Sequence, residues 1–261
     1  MNQSQAAESK TNRVVSRAEW VVARKELLAK EKEATRQRDA LSAERRKLPC
    51  VRVEKEYVFE GPNGRTNLRE LFGNHRQLIV YHFMFDPEWA EGCKSCSFLA
   101  DNFPGSFAHS AARNTAFAAV SRAPLAKLEA FKKRMGWTFS WFSSSGSSFN
   151  HDFHVTLDEG AGAGEYNYQN AAVLKRAGKI WIEKGELPGL SVFLRDGDSV
   201  FHTYSTYQRG LDLFINTYNY LDVTPLGRQE DNDPHGMAWV RHHDKYPAQQ
   251  GAAAGRNYRS A

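Results

Sequence analysis

LIVYHFMFDPEWAEGCKSCSFLADNF, residues 78–103, decides the fold of this chain. Leu78 to Phe85 is nearly unbroken apolar sequence, the mark of a central strand covered on both faces rather than an edge strand with one wet side. Asp86 to Gly92 reads as a loop. Cys93-Lys94-Ser95-Cys96 follows, and Leu99 and Phe103 continue an apolar helix face behind it. A C-x-x-C where a buried strand gives way to a helix has a defined chemical use. The free N–H groups and the dipole at a helix start favour a thiolate. Cys93 therefore reads as the nucleophile. Cys96, one turn on, is placed to attack a mixed disulfide. Lys94 adds positive charge beside the thiolate, and Ser95 and Trp89 are expected to line the approach.

Outward from this stretch, strands and helices alternate. Thr115 to Val120 predicts a second buried strand. Pro124 suits the first turn of a helix running to about Met135. Phe139 to Phe142 reads as a short strand, and residues 143–170, rich in Ser, Gly, Asn and Asp, as a long loop. Leu190 to Leu194 and Ser199 to Tyr204 flank Arg195-Asp196-Gly197-Asp198, a good hairpin signal. A helix from about Gly210 to Leu221 is expected before Pro225. Upstream, Val51, Val53, Tyr57 and Phe59 predict an extended segment and Gly61-Pro62-Asn63-Gly64 a turn. Leu68, Leu71 and Phe72 suggest a short helical turn ending at Gly73. Strand, C-x-x-C helix, strand, helix and terminal hairpin together give a mixed α/β sheet of thioredoxin-like order flanked by helices.

Ser16 and Glu19 have capping-box spacing. A long charged helix should run from about Arg17 to Lys47 and stop at Pro49. Its stripe of Trp20, Leu27, Leu28, Leu41 and Leu48 needs cover, from the body or from a second copy of the chain. The expected organisation is a charged helical extension over 1–49, a thioredoxin-like domain over 50–225, and a C-terminal docking segment and tail over 226–261.

The chain has 261 residues, 41% of them hydrophobic, enough for one good-sized core with extensions. Its formal charge of +5 resides in residues 1–48, which hold 12 Lys/Arg against 7 Asp/Glu, while the remaining 213 hold 23 of each. The body thus lacks the basic field of a nucleic-acid binder. The basic start reads as a solvated helix face. No run of about 18 apolar residues exists to cross a membrane. The first residues are polar and lack an apolar leader core, so the cytoplasm is the expected compartment. Three cysteines, Cys50, Cys93 and Cys96, are too few for a secreted disulfide scaffold of this length.

Two other readings of the cysteine pair stand beside dithiol exchange. Copper(I) accepts few, soft ligands, and Cys93 and Cys96 with His82, His109 or His202 could supply them. A zinc site would need four ligands, and no second C-x-x-C or spaced histidine pair is present. Alternatively the domain binds without redox chemistry and its long helix mediates oligomerisation. No organic cofactor is implied. His82 lies in an apolar strand, where a core histidine with one partner competes with a proton shuttle or ligand. His202 and Tyr204 lie on the hairpin that flanks the active face of such a fold, as site lining or as packing. Asp86 and Asp101 read as solvated carboxylates more readily than as bases. Trp239 to Asp244 reads as a segment docking on the body, and Gly160 to Gly164 lacks the strand–helix context of a phosphate cradle.

Four segments carry a resemblance: YHFMFDPEWAEGCKSCSFLADNF (81–103), AAVSRAPLAKLEAFKKRMGW (118–137), LPGLSVFLRDGDSVFHTYSTYQRGLD (187–212), and LDVTPLGRQE with MAWVRHHDKY (221–246). They resemble the domain-of-unknown-function 899 family over about residues 12–246. The resemblance implies a predicted dithiol-disulfide oxidoreductase of the thioredoxin superfamily, with a thiol or disulfide substrate, protein or small molecule. The family usually has Pro where Lys94 stands and an aromatic residue where Cys50 stands. A thioredoxin carries a proline facing its disulfide; counting back from Gly197 gives Gly189, with Pro188 one position off. The peroxiredoxin pattern P-x-x-x-T/S-x-x-C is absent, since Ala90 stands three before Cys93 and Cys93 three before Cys96. Peroxidase activity is therefore not expected.

Overall fold

A computed structural model describes residues 12–157, 164–178, 185–233 and 236–247. The polar start, the stretch Gly160–Ala163 and the tail from residue 248 lie outside them. The chain opens with α1 (Arg17–Arg45), β1 (Val51–Arg52), β2 (Val58–Gly61) and β3 (Gly64–Asn67), then a 3-10 turn at Glu70–Phe72. The alternating half follows: β4 (Gln77–His82), α2 (Lys94–Asp101), α3 (Ala108–Ala111), β5 (Thr115–Ser121), α4 (Leu125–Arg134) and β6 (Trp141–Ser143). Next come α5 (Phe149–Asp152), β7 (Thr156–Leu157), β8 (Glu165–Tyr166), β9 (Gln169–Asn170), α6 (Ala171–Arg176) and β10 (Gly185–Glu186). The hairpin β11 (Gly189–Asp196) and β12 (Ser199–Tyr207) leads into a 3-10 stretch (Gln208–Phe214), α7 (Asn216–Leu221) and a final 3-10 turn at His243–Lys245.

Eight strands form one sheet in the order β1-β12-β11-β4-β5-β6-β2-β3. β4, β5 and β6 are parallel, and β11 runs antiparallel to β4 and to β12. A parallel trio joined through helices and closed by an antiparallel hairpin is the thioredoxin-like arrangement expected from the sequence. Gly197 supplies the positive φ of 56° that the two-residue hairpin turn requires, with Asp196 paired to Ser199.

β4 divides its side chains between two cores, as period-two geometry requires. Tyr81 and Phe83 join a cluster with Cys96, Phe98 and Leu99 of α2, Leu128 and Phe131 of α4, and Trp141. Leu78 and Val80 join the opposite cluster with Phe72, Phe149, Phe153 and Phe193. Strand and helix thus bring the cysteine pair to one face, at the C-terminal end of the central strand, where chemistry collects in open α/β sheets.

The described residues within 143–170, 143–157 and 164–170, depart from the expected loop. Phe149 is fully buried, and its turn of helix plugs the second core. The polar residues around it are used rather than solvated: Ser144 Oγ donates to Asn150 Oδ1 at 2.8 Å, and Ser144 N donates to Ser121 O at 2.8 Å. The expected helix over 210–221 is split at Ile215 into a 3-10 stretch and α7.

α1 begins at the capping box: Glu19 N donates to Ser16 Oγ at 3.3 Å, and Ser16 N to Glu19 Oε2 at 2.9 Å. None of its residues is buried, and Trp20, Leu27 and Leu28 stay exposed. Its second half, from Ala34 to Arg45, forms one wall of a cleft whose other wall carries Tyr204, Thr206, Leu213 and Phe214. Among the described residues no helix is long and apolar enough to cross a membrane.

Candidate active site at the cysteine pair

Cys93 is the N-cap of α2, in extended geometry with φ −54° and ψ 131°. Its backbone is fixed on both sides: Cys93 N donates to Met84 O at 3.0 Å, and Ser97 N and Ser97 Oγ each donate to Cys93 O at 2.9 Å. The side chain is half-buried, and Cys96 is only 2% exposed. Both are free thiols. A hydrogen bond from the Cys96 thiol pulls the Cys93 thiol below the ordinary value, and the backbone N–H groups of Cys96 and Ser95 and the charge of Lys94 add to it against burial. Burial, together with Cys93 itself, pushes the Cys96 thiol up. Two thiols three residues apart are thus driven in opposite directions.

The loop into Cys93 is built from close contacts. Asp86 Oδ1 accepts from Glu88 N at 2.8 Å, and Lys127 Nζ of α4 donates to Trp89 O at 3.0 Å. Trp89 packs, partly buried, against the first core. Gly92 has no room for a side chain: a Cβ there would lie 2.7 Å from Phe83 Cε1 and 3.0 Å from Phe131 Cε1. Gly92→Ala is expected to cost about 1–3 kcal/mol through overpacking. Urea denaturation should show a lower midpoint at unchanged slope, and an unchanged midpoint would show that the rings yield freely.

The C-terminal segment closes over this face. Lys94 Nζ donates to Ala238 O at 3.2 Å, and Trp239 meets Phe98 edge-on at 5.4 Å. Val240 is buried. His242 Nε2 donates at 2.8 Å to the carbonyl of Gly92, the residue before Cys93, and its ring lies edge-on to Phe131. His243 Nδ1 donates to Asp101 Oδ1 at 2.8 Å, which also accepts from Trp137 Nε1 at 2.8 Å. Glu91 takes Lys245 Nζ at 2.6 Å and an ion pair from Arg134, which also holds Asp244. Asp101 is therefore a docking carboxylate.

His242 and Tyr81 are the site neighbours that sequence reasoning missed. His242 is 150 residues from its partner, so no local spacing announces it. Tyr81 was in view: alternation along β4 places it on the same face as Phe83, and it shares one buried cluster with Cys96.

The histidines proposed as a third copper ligand are not brought to the sulfurs. His82, the neighbour of Tyr81, points to the opposite face and stacks on Phe149 and Phe153 at 5.4 and 5.9 Å. Its Nε2 is hydrogen-bonded to Ser191 Oγ at 2.8 Å, which connects at 2.8 Å to Ser205 Oγ and from there at 2.7 Å to His202 Nε2. His202 packs on Phe153 and Phe193 of that same second core. His109 is exposed on α3. Tyr204 receives the guanidinium of Arg45 at 5.7 Å and lines the cleft under α1. His82, His202 and Tyr204 therefore do not line the cysteine site. Among the described residues no group of three or more His, Cys, Asp and Glu is arranged to hold a metal. Cys50 is exposed before β1, at the far edge of the sheet. Asp86 pairs with Arg122, which also holds the buried Glu186 at 3.1 Å. Pro188 directly precedes β11, and its carbonyl accepts from the Tyr166 hydroxyl at 2.8 Å.

Among solved structures the chain is similar to PrxQ of Xylella fastidiosa carrying a cysteine-to-serine substitution, at 12% identity and TM-score 0.40, covering 63% of this chain and 88% of that one. It is similar to the peroxidoxin BcpB from Mycobacterium tuberculosis at 12% identity and TM-score 0.36, over 67% and 97% of the two chains. A secreted Mycobacterium tuberculosis disulfide oxidoreductase homologous to E. coli DsbE matches at 12% identity and TM-score 0.29, over 61% and 92%. No curated protein matches the chain in sequence. The family model described as a bacterial protein of unknown function, DUF899, matches residues 9–246, and the chain belongs to that family.

Proposed function

We propose that the protein catalyses thiol-disulfide exchange, with Cys93 as nucleophile and Cys96 as resolving thiol. The observation that carries this reading is the seat of Cys93 at the N-cap of α2, beside the free N–H groups that open the helix and one turn before Cys96. Those donors favour the thiolate, the reactive form. The thiolate of Cys93 attacks one sulfur of a substrate disulfide R–S–S–R′. A Cys93–S–S–R bond forms and R′–S⁻ leaves, taking a proton from water. Cys96 then loses its proton and attacks Cys93 Sγ, a Cys93–Cys96 disulfide forms, the bond between Cys93 Sγ and the substrate sulfur breaks, and R–S⁻ leaves. The dithiol is oxidised by two electrons and the substrate disulfide is reduced to two thiols. The reverse sequence oxidises a dithiol substrate. The copper(I) reading lacks its third ligand, because His82 and His202 occupy the other face of the sheet.

Alkylation and trapping test this. Near neutral pH, Cys93 should alkylate on the order of tenfold faster than Cys50, because more of it is thiolate. Cys93→Ser should lose the fast alkylation and all exchange with a model disulfide. Cys96→Ser should keep the fast alkylation and stall as a stable Cys93 mixed disulfide. A Cys93 that alkylates no faster than Cys50, with no trappable mixed disulfide, would sink the assignment.

A further inference from the structure

Extended backbone that offers unpaired N–H and C=O groups beside a reactive thiol is a place where a peptide can add as one more strand. The stretch that could do so here is 185–188, the chain leading into β11. Antiparallel pairing of Gly189 with His82 brings it to the end of β4 from which the cysteine loop departs. There Cys93 N donates to Met84 O at 3.0 Å, and Met84 N to Cys96 Sγ at 3.5 Å. The backbone groups of this stretch are already engaged. β10 pairs antiparallel with β7, Gly185 against Leu157 and Glu186 against Thr156, and Leu187 N extends the pairing to Val155 O at 2.8 Å. The carbonyl of Pro188 accepts from the Tyr166 hydroxyl at 2.8 Å.

The strand that engages them is firmly held. Val155, Thr156 and Leu157 are buried, and Val155 and Leu157 share a third apolar cluster with Tyr166, Leu174, Leu187 and Tyr207. Thr156 Oγ1 donates to the Glu186 carboxylate at 3.1 Å, as Asn150 Nδ2 does at 3.3 Å, and Arg122 pairs with it at 3.1 Å. β7 therefore takes the place of an incoming strand, and displacing it would expose that cluster. A second cover comes from the C-terminal segment. Gly92 and Lys94, the neighbours of Cys93 on either side, are both bonded to it, Gly92 O to His242 Nε2 and Lys94 Nζ to Ala238 O. Trp239 anchors that segment, with its ring against Phe98 and its Nε1 donating to Glu230 Oε1 at 2.7 Å.

We infer that the cysteine site excludes polypeptide chains and takes low-molecular-weight disulfides as its substrates. The inference rests on the exchange reading above and narrows it. A compact disulfide needs only a path for one of its sulfurs to reach the half-buried Cys93. A peptide disulfide brings flanking backbone on both sides of its cysteine. That backbone would have to displace β7 or the C-terminal segment, and either displacement loses hydrogen bonds and buried surface that hold the fold. One small disulfide R–S–S–R is reduced to two thiols as the Cys93 and Cys96 dithiol becomes a disulfide, through the two displacements described above. A flanking chain is expected to slow the first displacement by about tenfold or more.

The experiment uses the reduced full chain carrying Cys50→Ser and two probes that share one leaving group. The small probe is N-acetylcysteine amide in a mixed disulfide with 2-nitro-5-thiobenzoate. The large probe is an unstructured peptide of about 20 residues with the same mixed disulfide at its central cysteine. Attack by Cys93 releases the coloured thiolate from either, and both rates are divided by those for free glutathione, which removes intrinsic differences between the probes. The small probe should then react about tenfold or more faster than the peptide. Trp239→Ala, which loosens the C-terminal segment and alters neither cysteine, should raise the peptide rate about threefold or more and leave the small-probe rate within about twofold. A peptide rate within about threefold of the small-probe rate, or a ratio that Trp239→Ala leaves unaltered, overturns the exclusion and leaves the exchange reading standing. Should neither probe release its thiolate faster with the parent than with Cys93→Ser, the exchange reading falls and the exclusion falls with it.

Discussion

Replacing Trp141 by alanine is expected to cost about 3–5 kcal/mol, a large share of the stability of a domain this size. Trp141 is fully buried on β6, with rings of Phe83, Phe139 and Trp137 around it at 4.7, 5.8 and 5.9 Å. No neighbour is long enough to fill its volume, so a cavity remains. A polar loss adds to the cavity. Trp141 Nε1 donates to Ser121 Oγ at 2.9 Å, and Ser121 Oγ donates to Phe83 O at 2.7 Å, all without access to water. Phe83 is the ring that leaves Gly92 no side chain, so Trp141 supports the loop into Cys93 from below. Urea titrations of Trp141→Ala and Trp141→Phe decide the size. The alanine variant should fall by the full amount. The phenylalanine variant, which keeps most of the volume and loses the N–H, should fall by about 1–3 kcal/mol. Equal losses in the two would show the hydrogen bond, not the packing, to be dominant.

The parts of this molecule that were legible in the sequence are those whose cause is local. Continuous apolarity from Leu78 marked the central strand, whose ladder closes at His82 while Phe83 N still donates to Val120 O at 2.9 Å. Asp196-Gly197 marked the hairpin turn, and Ser16 with Glu19 the start of α1. Cys93 at a helix start followed from the strand before it and the apolar face after it. What could not be read was long-range. The Ser-rich stretch after β6 looks like a loop by composition, but Phe149 and Phe153 decide its fate by entering a core assembled from strands far away in the chain. The same holds for His242, which reaches Gly92 only once the C-terminal segment has docked. The side on which a strand histidine points was, by contrast, fixed by alternation. Tyr81 and His82 are adjacent, so only one of them could face the cysteines, and it is the tyrosine.

That geometry leaves His82 as a buried base with consequences for acid stability. It is 1% exposed, its Nε2 is hydrogen-bonded to Ser191, and its Nδ1 has no partner. Burial, with the neighbouring His202 as a second cause, pushes its pKa down to about 3. Below about pH 6.5 the unfolded chain binds a proton that the folded chain refuses, so stability falls as pH falls, by about 1.4 kcal/mol per unit, until pH nears 3. Glu186 works the other way. Burial raises its pKa to about 7 despite Arg122, Thr156 and Asn150, so from pH 7 down to about 4.5 the folded chain binds a proton that the unfolded chain has released. Over that interval the two slopes nearly cancel, and the parent protein should hold its stability between pH 6.5 and 4.5. Below 4.5 Glu186 no longer compensates. Carboxylates held low by partners, such as Asp152 beside Lys55, then add to the loss. Glu186→Gln, which keeps the shape and removes the titration, should uncover the histidine. Its unfolding free energy from urea titrations should drop by about 2–3 kcal/mol between pH 6.5 and 4.5, where the parent changes by less than about 1 kcal/mol. Parallel curves for the two proteins over that range would show that Glu186 does not hold its proton in the fold, and the compensation would be refuted.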